Sequence, residues 1–523
     1  MNNKNTIELD YSKAVSLEHR KKFAQFFTPY SIAELMVKWL LGNENLQDVL
    51  EPAFGLGIFS RILLAKKNDV QIKAFEIDDT ILEYAKKEFS SAEKVNILVE
   101  DYMFNDWQNK YDGIICNPPY FKFHDYDNKN ILKEIENKLQ CKLNGFTNLY
   151  TLFLLKSIHQ LKPNGRCAYI IPSEFLNSDY GKLVKTHLLK TGTLRHIIVV
   201  DFGENVFDDA LTTASIILCA NDNKINKMQF TNIQSVNTLD IVENLIDSYP
   251  KLSENSKTHH FSELDPEIKW KTYYQPQNGH KFKNLVPFST YAKVVRGIAT
   301  GANNYFAFNL SKARKYNIDE LYLLPCVCHS IDVQGNFFTE SDFKDLKNKD
   351  KKVFLINAKN SNNANVTNYL RKGEQEQIHK KYLTASRNPW YLLENRPPSP
   401  IWVSVFNRNG LRFIRNEANI SNLTTFHCIY PQTDLFSDIS LDLLFAYLLT
   451  YTARQIFEDN SREYGDGLQK FEPNDLNKGK ILDLKKLSAK NKHRIENLYC
   501  EYVKNNNPKF IEKIEGIFVE SFS

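Results

Sequence analysis

The first half of the chain is predicted to form a doubly wound α/β sheet, and three observations support this fold class. Short runs of β-branched and apolar residues alternate with helical patterns between residues 30 and about 220, as in parallel sheets with helices on both faces. The strand-like runs are DVLE, IKAFEID, VNILVED, YDGIIC, GRCAYIIP, RHIIVV and TASIILCA. Polar or glycine-containing residues follow several of these runs directly, at the strand ends where such sheets bind ligands.

The predicted helices lie between these strands. Residues Ser31 to Leu41 carry an apolar face at helical spacing, formed by Ile32, Leu35, Met36, Trp39 and Leu40. The segments GIFSRILLAKK and DTILEYAKKEF continue the alternation after the first and second strands. In the second half of the chain, the pattern predicts helices at 438–458 and 484–505.

Length and composition predict two domains. A chain of 523 residues exceeds the roughly 250–300 residues that one hydrophobic core usually serves. The segment between residues 235 and 285 is polar and rich in turn residues, which is typical of a boundary. We therefore expect a first domain over residues 1–250 and a second, mixed α/β domain over residues 275–523.

The charge is unevenly distributed between the two halves. Residues 1–260 hold 30 Lys and Arg against 33 Asp and Glu, a net −3, whereas residues 261–523 hold 37 against 29, a net +8. A polyanion is therefore expected to bind the second half. The eight cysteines contain no CxxC pair, so we expect reduced thiols and no metal site. Neither a signal peptide nor a membrane span is recognisable, which predicts a cytoplasmic protein.

Three strand ends in the first half suggest a pocket for an adenosine group. Glu51-Pro52-Ala53-Phe54-Gly55-Leu56-Gly57 joins a strand to a helix, and its glycines allow a ligand to approach the backbone closely. Glu76 ends the second strand, where an acidic residue can bind a ribose diol. Asp101 and Tyr102 follow the third strand and offer an acceptor for an adenine amino group and a ring to stack on it. A dinucleotide-dependent dehydrogenase would satisfy these features equally well.

The segment Asn117-Pro118-Pro119-Tyr120, after a fourth strand, favours methyl transfer to a planar nitrogen. An exocyclic amino group is a poor nucleophile because its lone pair is delocalised into the ring. The Asn side-chain oxygen and a backbone carbonyl can accept both amino hydrogens and so favour attack on a sulfonium methyl group. Proline holds that carbonyl in place by fixing φ. Tyr120 can stack on a base that has left the helix.

Residues 25–220 resemble the γ class of adenine-N6 DNA methyltransferases of restriction–modification systems. The matching segments, in the order typical of that class, are FFTPYSIAELM at 26–36, EPAFGLG at 51–57, FEID at 75–78, EDY at 100–102 and NPPY at 117–120. The FTP element ahead of the glycines indicates the γ class. Phe54 departs from the small residue that the family often has, which makes the loop bulkier.

The resemblance implies a role for each matched residue. An S-adenosylmethionine pocket is implied for Thr28, Pro29, Glu51, Pro52, Ala53, Gly55, Gly57, Glu76, Ile77, Asp101 and Tyr102. Catalysis is implied for Asn117, Pro118, Pro119 and Tyr120, with Tyr120 and Phe207 stacking on opposite faces of the flipped adenine. Contacts to double-stranded DNA, made by a target-recognition domain, are implied for Arg296, Arg462, Tyr464 and Lys470. We expect a monomer, and a separately encoded endonuclease can act on the same site.

Several alternatives stay open at this stage. Other NPPY enzymes methylate ribosomal RNA or a protein glutamine, although they usually lack the FTP segment and so large a second half. A type I modification subunit is a second alternative. It resembles this chain less, because it carries a long helical domain ahead of FTP. A non-catalytic DNA-binding regulator would keep the second half, but the intact Asn117 and glycine loop argue against it. The sequence does not indicate which DNA site is read.

Overall fold

A computed structural model describes residues 6–90, 92–120, 129–140, 148–200, 213–233, 238–359, 361–408, 410–432, 439–464 and 468–523. The chain divides into two compact units. The first unit runs to Pro276 and also includes the segment that begins at Arg462. The second unit spans Gln277–Ser461 and resumes from Leu468 to Ser523. The segment at Arg462 thus belongs, by its packing, with the first unit.

A nine-stranded sheet forms the centre of the first unit. Its strands are β1 Asp48–Glu51, β2 Gln71–Phe75, β3 Val95–Leu98, β4 Tyr111–Cys116, β5 Leu161–Pro172, β6 Leu194–Val200, β7 Ala214–Ala220, β8 Lys227–Ile233 and β9 Lys257–His260. They lie in the order β3-β2-β1-β4-β5-β7-β6-β8-β9. The strands from β3 to β5 are parallel, whereas β7 is antiparallel to both of its neighbours. The predicted doubly wound α/β sheet is confirmed.

Helices cover both faces of this sheet. They are α1 Thr6–Ala14, α2 Leu17–Lys22, α3 Tyr30–Leu41, α4 Ile58–Lys66, α5 Asp79–Glu88, α6 Lys129–Leu139, α7 Leu149–His159, α8 Glu174–Asn177, α9 Gly181–Thr191, α10 Leu239–Ser248 and α11 Lys271–Tyr274. Neighbouring residues of β4 face opposite sides: Ile114 packs in the core that includes α7 and α9, and Ile115 in the core that includes α3, α4 and α10. The sheet is therefore buried on both faces, which explains why its central strands have continuous apolar runs.

The second unit is also mixed α/β. Its strands, together with β21 of the first unit, are β10 Leu285–Pro287, β11 Ala292–Arg296, β12 Ala307–Phe308, β13 Leu323–Val327, β14 Phe337–Phe338, β15 Phe354–Ile356, β16 Ile401–Ser404, β17 Phe406–Asn407, β18 Phe413–Asn416, β19 Ser421–Asn422, β20 Phe426–Pro431, β21 Arg462–Tyr464, β22 Leu468–Lys470 and β23 Lys480–Leu482. One sheet has the order β11-β20-β16-β18-β14, and another has the order β12-β15-β13-β19.

Helices pack against these sheets, and two predicted helix boundaries were wrong. The helices are α12 Asn303–Phe306, α13 Leu310–Lys315, α14 Glu340–Asn348, α15 Ala364–Gln375, α16 Tyr382–Ala385, α17 Leu441–Leu448, α18 Tyr451–Glu458, α19 Pro473–Lys478, α20 Ala489–Asn505 and α21 Lys509–Phe522. The predicted helix 438–458 is broken because Thr450 is extended and its side chain caps α18 by accepting from the Ala453 N–H. The predicted helix 484–505 begins only at Ala489, where Ser488 forms the N-cap.

Within the described part of the chain, every helix is too short or too polar to cross a lipid bilayer.

Candidate active site

A cavity of about 440 Å³ lies beside the ends of β1, β2 and β4 in the first unit. Ten of the predicted site residues line it, namely Thr28, Pro52, Ala53, Gly55, Glu76, Ile77, Asp101, Tyr102, Asn117 and Pro119. Pro29, Glu51, Gly57, Pro118 and Tyr120 do not border it, and Phe207 lies outside the described residues. Segments distant in sequence thus meet at one edge of the sheet, as expected for a switch point of an α/β fold.

The loop after β1 is shaped by two glycines in the left-handed region. Gly55 has φ +56°, and its N–H donates to Oε2 of Glu76 at 2.8 Å. Gly57 has φ +71° and is the N-cap of α4. A Cβ at Gly57 would lie 2.5 Å from the Phe89 ring, so a larger residue does not fit there.

Phe54, the residue that departs from the family pattern, is accommodated in the core. It is buried in a small cluster with Ala74 and Ala85, and its ring centroid lies 5.1 Å from that of Phe89. The two alanines leave room for the large ring. The extra bulk of Phe54 is therefore accommodated by packing against these core residues.

Glu76 anchors both the glycine loop and its own turn. Its Oε2 accepts from Gly55, while its Oε1 accepts from the N–H groups of Ile77 at 2.8 Å and Asp78 at 3.0 Å. Burial raises the pKa of Glu76, although these three donors oppose the rise. Ile77, directly next to it, is 51% exposed on the cavity side and offers an apolar surface.

Glu51 is a buried carboxyl that lacks one partner. The Ser60 hydroxyl on α4 donates to its Oε2, whereas Oε1 is buried without a hydrogen bond to the described residues. Burial raises the pKa of Glu51 to about 8. The side chain is therefore protonated at neutral pH until a cation stabilises the charged form.

Asp101 borders the cavity, but the ring of Tyr102 is directed into the core. Asp101 accepts from the Met103 N–H at 2.8 Å, and burial raises its pKa. Tyr102 is 1% exposed, and its hydroxyl donates to Oε1 of Gln160 at 2.6 Å. The Lys156 ammonium lies 3.8 Å from the centroid of the Tyr102 ring. This environment argues against the stacking role that the sequence suggested for Tyr102.

The Asn117 side chain is held by hydrogen bonds on both of its polar atoms. Its Nδ2 donates to the carbonyl of Phe26 at 2.7 Å and to Oγ1 of Thr28 at 3.0 Å. Its Oδ1 accepts from the Tyr120 hydroxyl at 2.7 Å. The Tyr120 ring stacks on Phe26, with centroids 5.6 Å apart and planes at 17°. The FTP segment therefore fixes which way the Asn117 amide points.

Several cavity residues were missed by the sequence analysis. Phe153 and Leu149 come from α7, Lys22, Phe23, Ala24, Gln25 and Phe26 precede the FTP motif, and Glu8 comes from α1. Gln25 is tied to the turn after β2 because its Nε2 donates to Oδ2 of Asp78 at 2.5 Å. No motif spacing marks these positions, and the signal that could have found Lys22 to Phe26 is their closeness in sequence to the FTP element.

Two of the four predicted DNA contacts lie in the second unit and form ion pairs. Arg296 ends β11, is half-exposed, and lies 3.4 Å from Oε1 of Glu394. Lys470 ends β22 and lies 2.6 Å from Oε1 of Glu472. Both pairs are partly exposed to solvent, and such ion pairs contribute little to stability.

The other two predicted contacts lie on β21, in the first unit. The Arg462 side chain is 11% exposed, and its Nη1 lies 3.9 Å from Oε1 of Glu174. This burial favours a structural role for Arg462 over a phosphate contact. Tyr464 ends the strand, and its side chain lies outside the described residues.

The chain is similar to restriction-modification methyltransferases along both of its halves. The family model of the Eco57I restriction-modification methylase matches residues 15–207, and that of the C-terminal domain of type II methyltransferase M.Eco57I matches residues 277–514. The chain is 68% identical to type II methyltransferase M.AccI of Acinetobacter calcoaceticus, over 99% of this chain and 97% of that protein. It is 26% identical to type II methyltransferase M.HindII of Haemophilus influenzae, over 79% of this chain and 75% of that protein.

A solved structure shares the fold at low sequence identity. It is that of the ATP-dependent type ISP restriction-modification enzyme LlaBIII bound to DNA, with a TM-score of 0.51 and 11% identity over 92% of this chain and 40% of that chain. This likeness concerns the fold alone. The identity to M.AccI extends along nearly the whole of both chains, and both family models match in their expected order. The chain therefore belongs to the type II methyltransferases of restriction–modification systems.

Proposed function

We propose that this protein transfers a methyl group from S-adenosylmethionine to the N6 amino group of adenine in double-stranded DNA. The observation that carries the proposal is the Asn117 side chain, whose amide is locked by Phe26 and Thr28 at the wall of the cavity. An amide with a fixed orientation presents its oxygen, an acceptor, to a planar amino group. In this role the protein is the modification enzyme of a restriction–modification system.

The residues around the cavity fit S-adenosylmethionine, which when bound supplies an electrophilic methyl group on a sulfonium. The cavity volume of about 440 Å³ lies within the usual range for small-molecule sites. Glu51 does not itself border the cavity, but it directly precedes Pro52, which does, and its buried oxygen without a partner suits an ammonium group. Glu76 offers carboxylate acceptors for ribose hydroxyls, Ile77 an apolar surface for the adenine ring, and Asp101 an acceptor for the adenine amino group of this donor.

The target adenine is held by the segment after β4. Oδ1 of Asn117 has two lone pairs, and the Tyr120 hydroxyl occupies one of them. The second lone pair can accept one hydrogen of the target amino group, and the carbonyl of Pro118 can accept the other. Pro118 itself is buried, which keeps this carbonyl in place. With both hydrogens engaged, the nitrogen lone pair is less delocalised and better placed for attack.

The target base must leave the DNA helix to reach this segment. Tyr120 is proposed to stack on the base, with Phe207 on the opposite face, as the family resemblance implies. One face of the Tyr120 ring is covered by Phe26, so the base either uses the other face or displaces that contact. The cavity and Asn117 lie in the first unit, to which we assign catalysis.

We assign DNA recognition to the second unit. Residues 261–523 carry the net charge of +8 (37 Lys and Arg against 29 Asp and Glu), and a basic surface attracts phosphates. Arg296 and Lys470 are the proposed phosphate contacts, since their side chains are more exposed than that of Arg462. The protein is proposed to act as a monomer in the cytoplasm, alongside a separately encoded endonuclease for the same site.

The test compares acceptors under identical conditions. The wild-type protein is incubated with methyl-labelled S-adenosylmethionine and either duplex DNA, RNA or a cell-extract protein fraction. The proposal predicts that label enters duplex DNA and that Asn117→Ala lowers the rate of transfer by about 10²–10³-fold. Label in RNA or protein instead would support one of the other NPPY activities, and cofactor binding without any transfer would indicate a regulator.

A further inference from the structure

Glu8, on the N-terminal helix α1, is a buried carboxylate at the wall of the same cavity. It is 4% exposed and lines the cavity. Its Oε1 forms an ion pair with Nη2 of Arg61 on α4. Its Oε2 is buried without a hydrogen bond to any of the described residues. Glu8 precedes residues 15–207, which the methylase family model matches, so no family motif accounts for it.

A buried carboxylate oxygen without a donor is unfavourable, since it has lost water and gained nothing in return. Buried polar atoms in native proteins usually have a hydrogen-bond partner, so we expect a ligand to donate to the Oε2 of Glu8. The Oε1 of Glu51 is in the same state. One of these two unpartnered oxygens thus belongs to a side chain that borders the cavity, and the other to Glu51, which does not border it.

Helix α4 holds both carboxylates at consecutive positions. The Ser60 hydroxyl donates to Glu51, and the next residue, Arg61, pairs with Glu8. Both acidic side chains are thus held by residues near the N-terminus of α4. Arg61 supplies one positive charge for two carboxylates, so a further cation would balance the site once Glu51 ionises.

The chemistry of this pair fits an ammonium group. An ammonium carries three N–H donors and one positive charge, and it can satisfy one oxygen from each carboxylate. A metal ion would need more oxygen ligands, and the described part of the chain contains no group of three or more acidic, His or Cys side chains that could hold one. A neutral hydroxyl has one donor for the two oxygens and would not balance the charge that Glu51 acquires when it ionises.

We propose that Glu8, together with Glu51, binds the α-ammonium group in the amino-acid part of the methyl donor. The N-terminal helix α1 is then a wall of the cofactor site, and Glu8 selects donors that retain a free amino group. This inference rests on the proposed function, because it assigns the cavity to S-adenosylmethionine. Glu8 lies ahead of the FTP motif, outside the segments to which the family resemblance assigns a role.

The test separates the amino-acid part of the ligand from its adenosine part. Isothermal titration of the full-length protein uses S-adenosylhomocysteine, which has the amino-acid group, and 5′-methylthioadenosine, which lacks it. In Glu8→Gln, affinity for S-adenosylhomocysteine should fall about 10- to 100-fold, the usual effect of losing a hydrogen bond to a charged group. Affinity for 5′-methylthioadenosine should stay within about twofold of wild type, because the adenosine contacts remain.

Asp10→Asn is the matched control. Asp10 lies on the same helix, is exposed and does not line the cavity, so removing its charge should leave both affinities unchanged. An equal loss of both ligands in Glu8→Gln would show that Glu8 only supports the fold, and unchanged binding of both would show that it has no part in the site. Wild-type protein that binds neither ligand would overturn the proposed function itself.

Discussion

Replacing Glu51 by Gln is expected to stabilise the cofactor-free protein at neutral pH. The Glu51 side chain is 1% exposed, and burial raises its pKa from 4.5 to about 8. In the unfolded chain the same carboxyl ionises near its ordinary pKa, so the folded state loses stability as pH rises from about 4.5 to about 8. The loss is about 1.4 kcal/mol per pH unit. Between pH 5.5 and 7.5 this amounts to about 3 kcal/mol.

The Gln amide has nearly the shape of the protonated carboxyl and does not ionise, so the variant lacks this loss. This loss of stability is measured in the absence of cofactor, by calorimetric or urea unfolding of wild type and Glu51→Gln at pH 5.5, 6.5 and 7.5. The transition of interest is the one that shifts when S-adenosylhomocysteine is added. The stability of the wild type relative to the variant should decrease steadily as pH rises. The affinity for S-adenosylhomocysteine should be lower in the variant.

Glu83→Gln serves as the control for this experiment. Glu83 lies on α5 and is exposed, so its replacement should change stability by the same small amount at every pH. If the difference between wild type and Glu51→Gln stays constant from pH 5.5 to 7.5, Glu51 ionises normally in the folded protein. The assignment of Glu51 as a protonated group awaiting a cation would then be wrong.

Three further predictions concern catalysis and DNA binding. Asn117→Ala should lower the rate of methyl transfer by about 10²–10³-fold, as for loss of one oriented polar group, while DNA affinity measured by fluorescence anisotropy is retained; near-normal turnover would contradict the role of Asn117. Tyr120→Phe keeps the ring on Phe26 but removes the donor to Oδ1 of Asn117, so single-turnover rates should fall by up to about tenfold; a loss as large as that of Asn117→Ala would show that the hydroxyl itself is indispensable. The logarithm of DNA affinity should fall with the logarithm of salt concentration at about 0.9 per phosphate contact, and a slope near zero would refute binding through the basic second half.

The strands of the first unit could be predicted because most of them are buried on both faces. Runs such as Leu194–Val200 and Ala214–Ala220 are fully buried, and their sequences are mostly apolar with β-branched residues at their centres. Strands β8 and β9 escaped detection because KMQFTNI and KTHH are polar. The insertion of β7 between β5 and β6 was also not predictable, since pairing order depends on contacts between distant segments.

The site was predictable where residues follow strands and unpredictable where segments meet in space. The predicted residues that line the cavity between Pro52 and Asn117 follow the ends of strands, where the motifs are short and local. By contrast, the hydrogen bond from Asn117 to Phe26 joins residues 91 positions apart. The burial of the Tyr102 ring likewise depends on α7, through Gln160 and Lys156. In the second unit, the break at Thr450 could have been recognised, because Thr is a favoured N-cap residue.

The most direct test of the proposed chemistry is the identity of the methylated atom. Duplex DNA is incubated with the wild-type protein and deuterium-labelled S-adenosylmethionine, digested to nucleosides, and analysed by mass spectrometry against authentic standards. Asn117→Ala, processed in parallel, controls for contaminating activity. We predict label in N6-methyladenine alone, with about 10²–10³-fold less label from the variant in the same reaction time. Label in N4-methylcytosine or 5-methylcytosine, or equal label from both proteins, would contradict it.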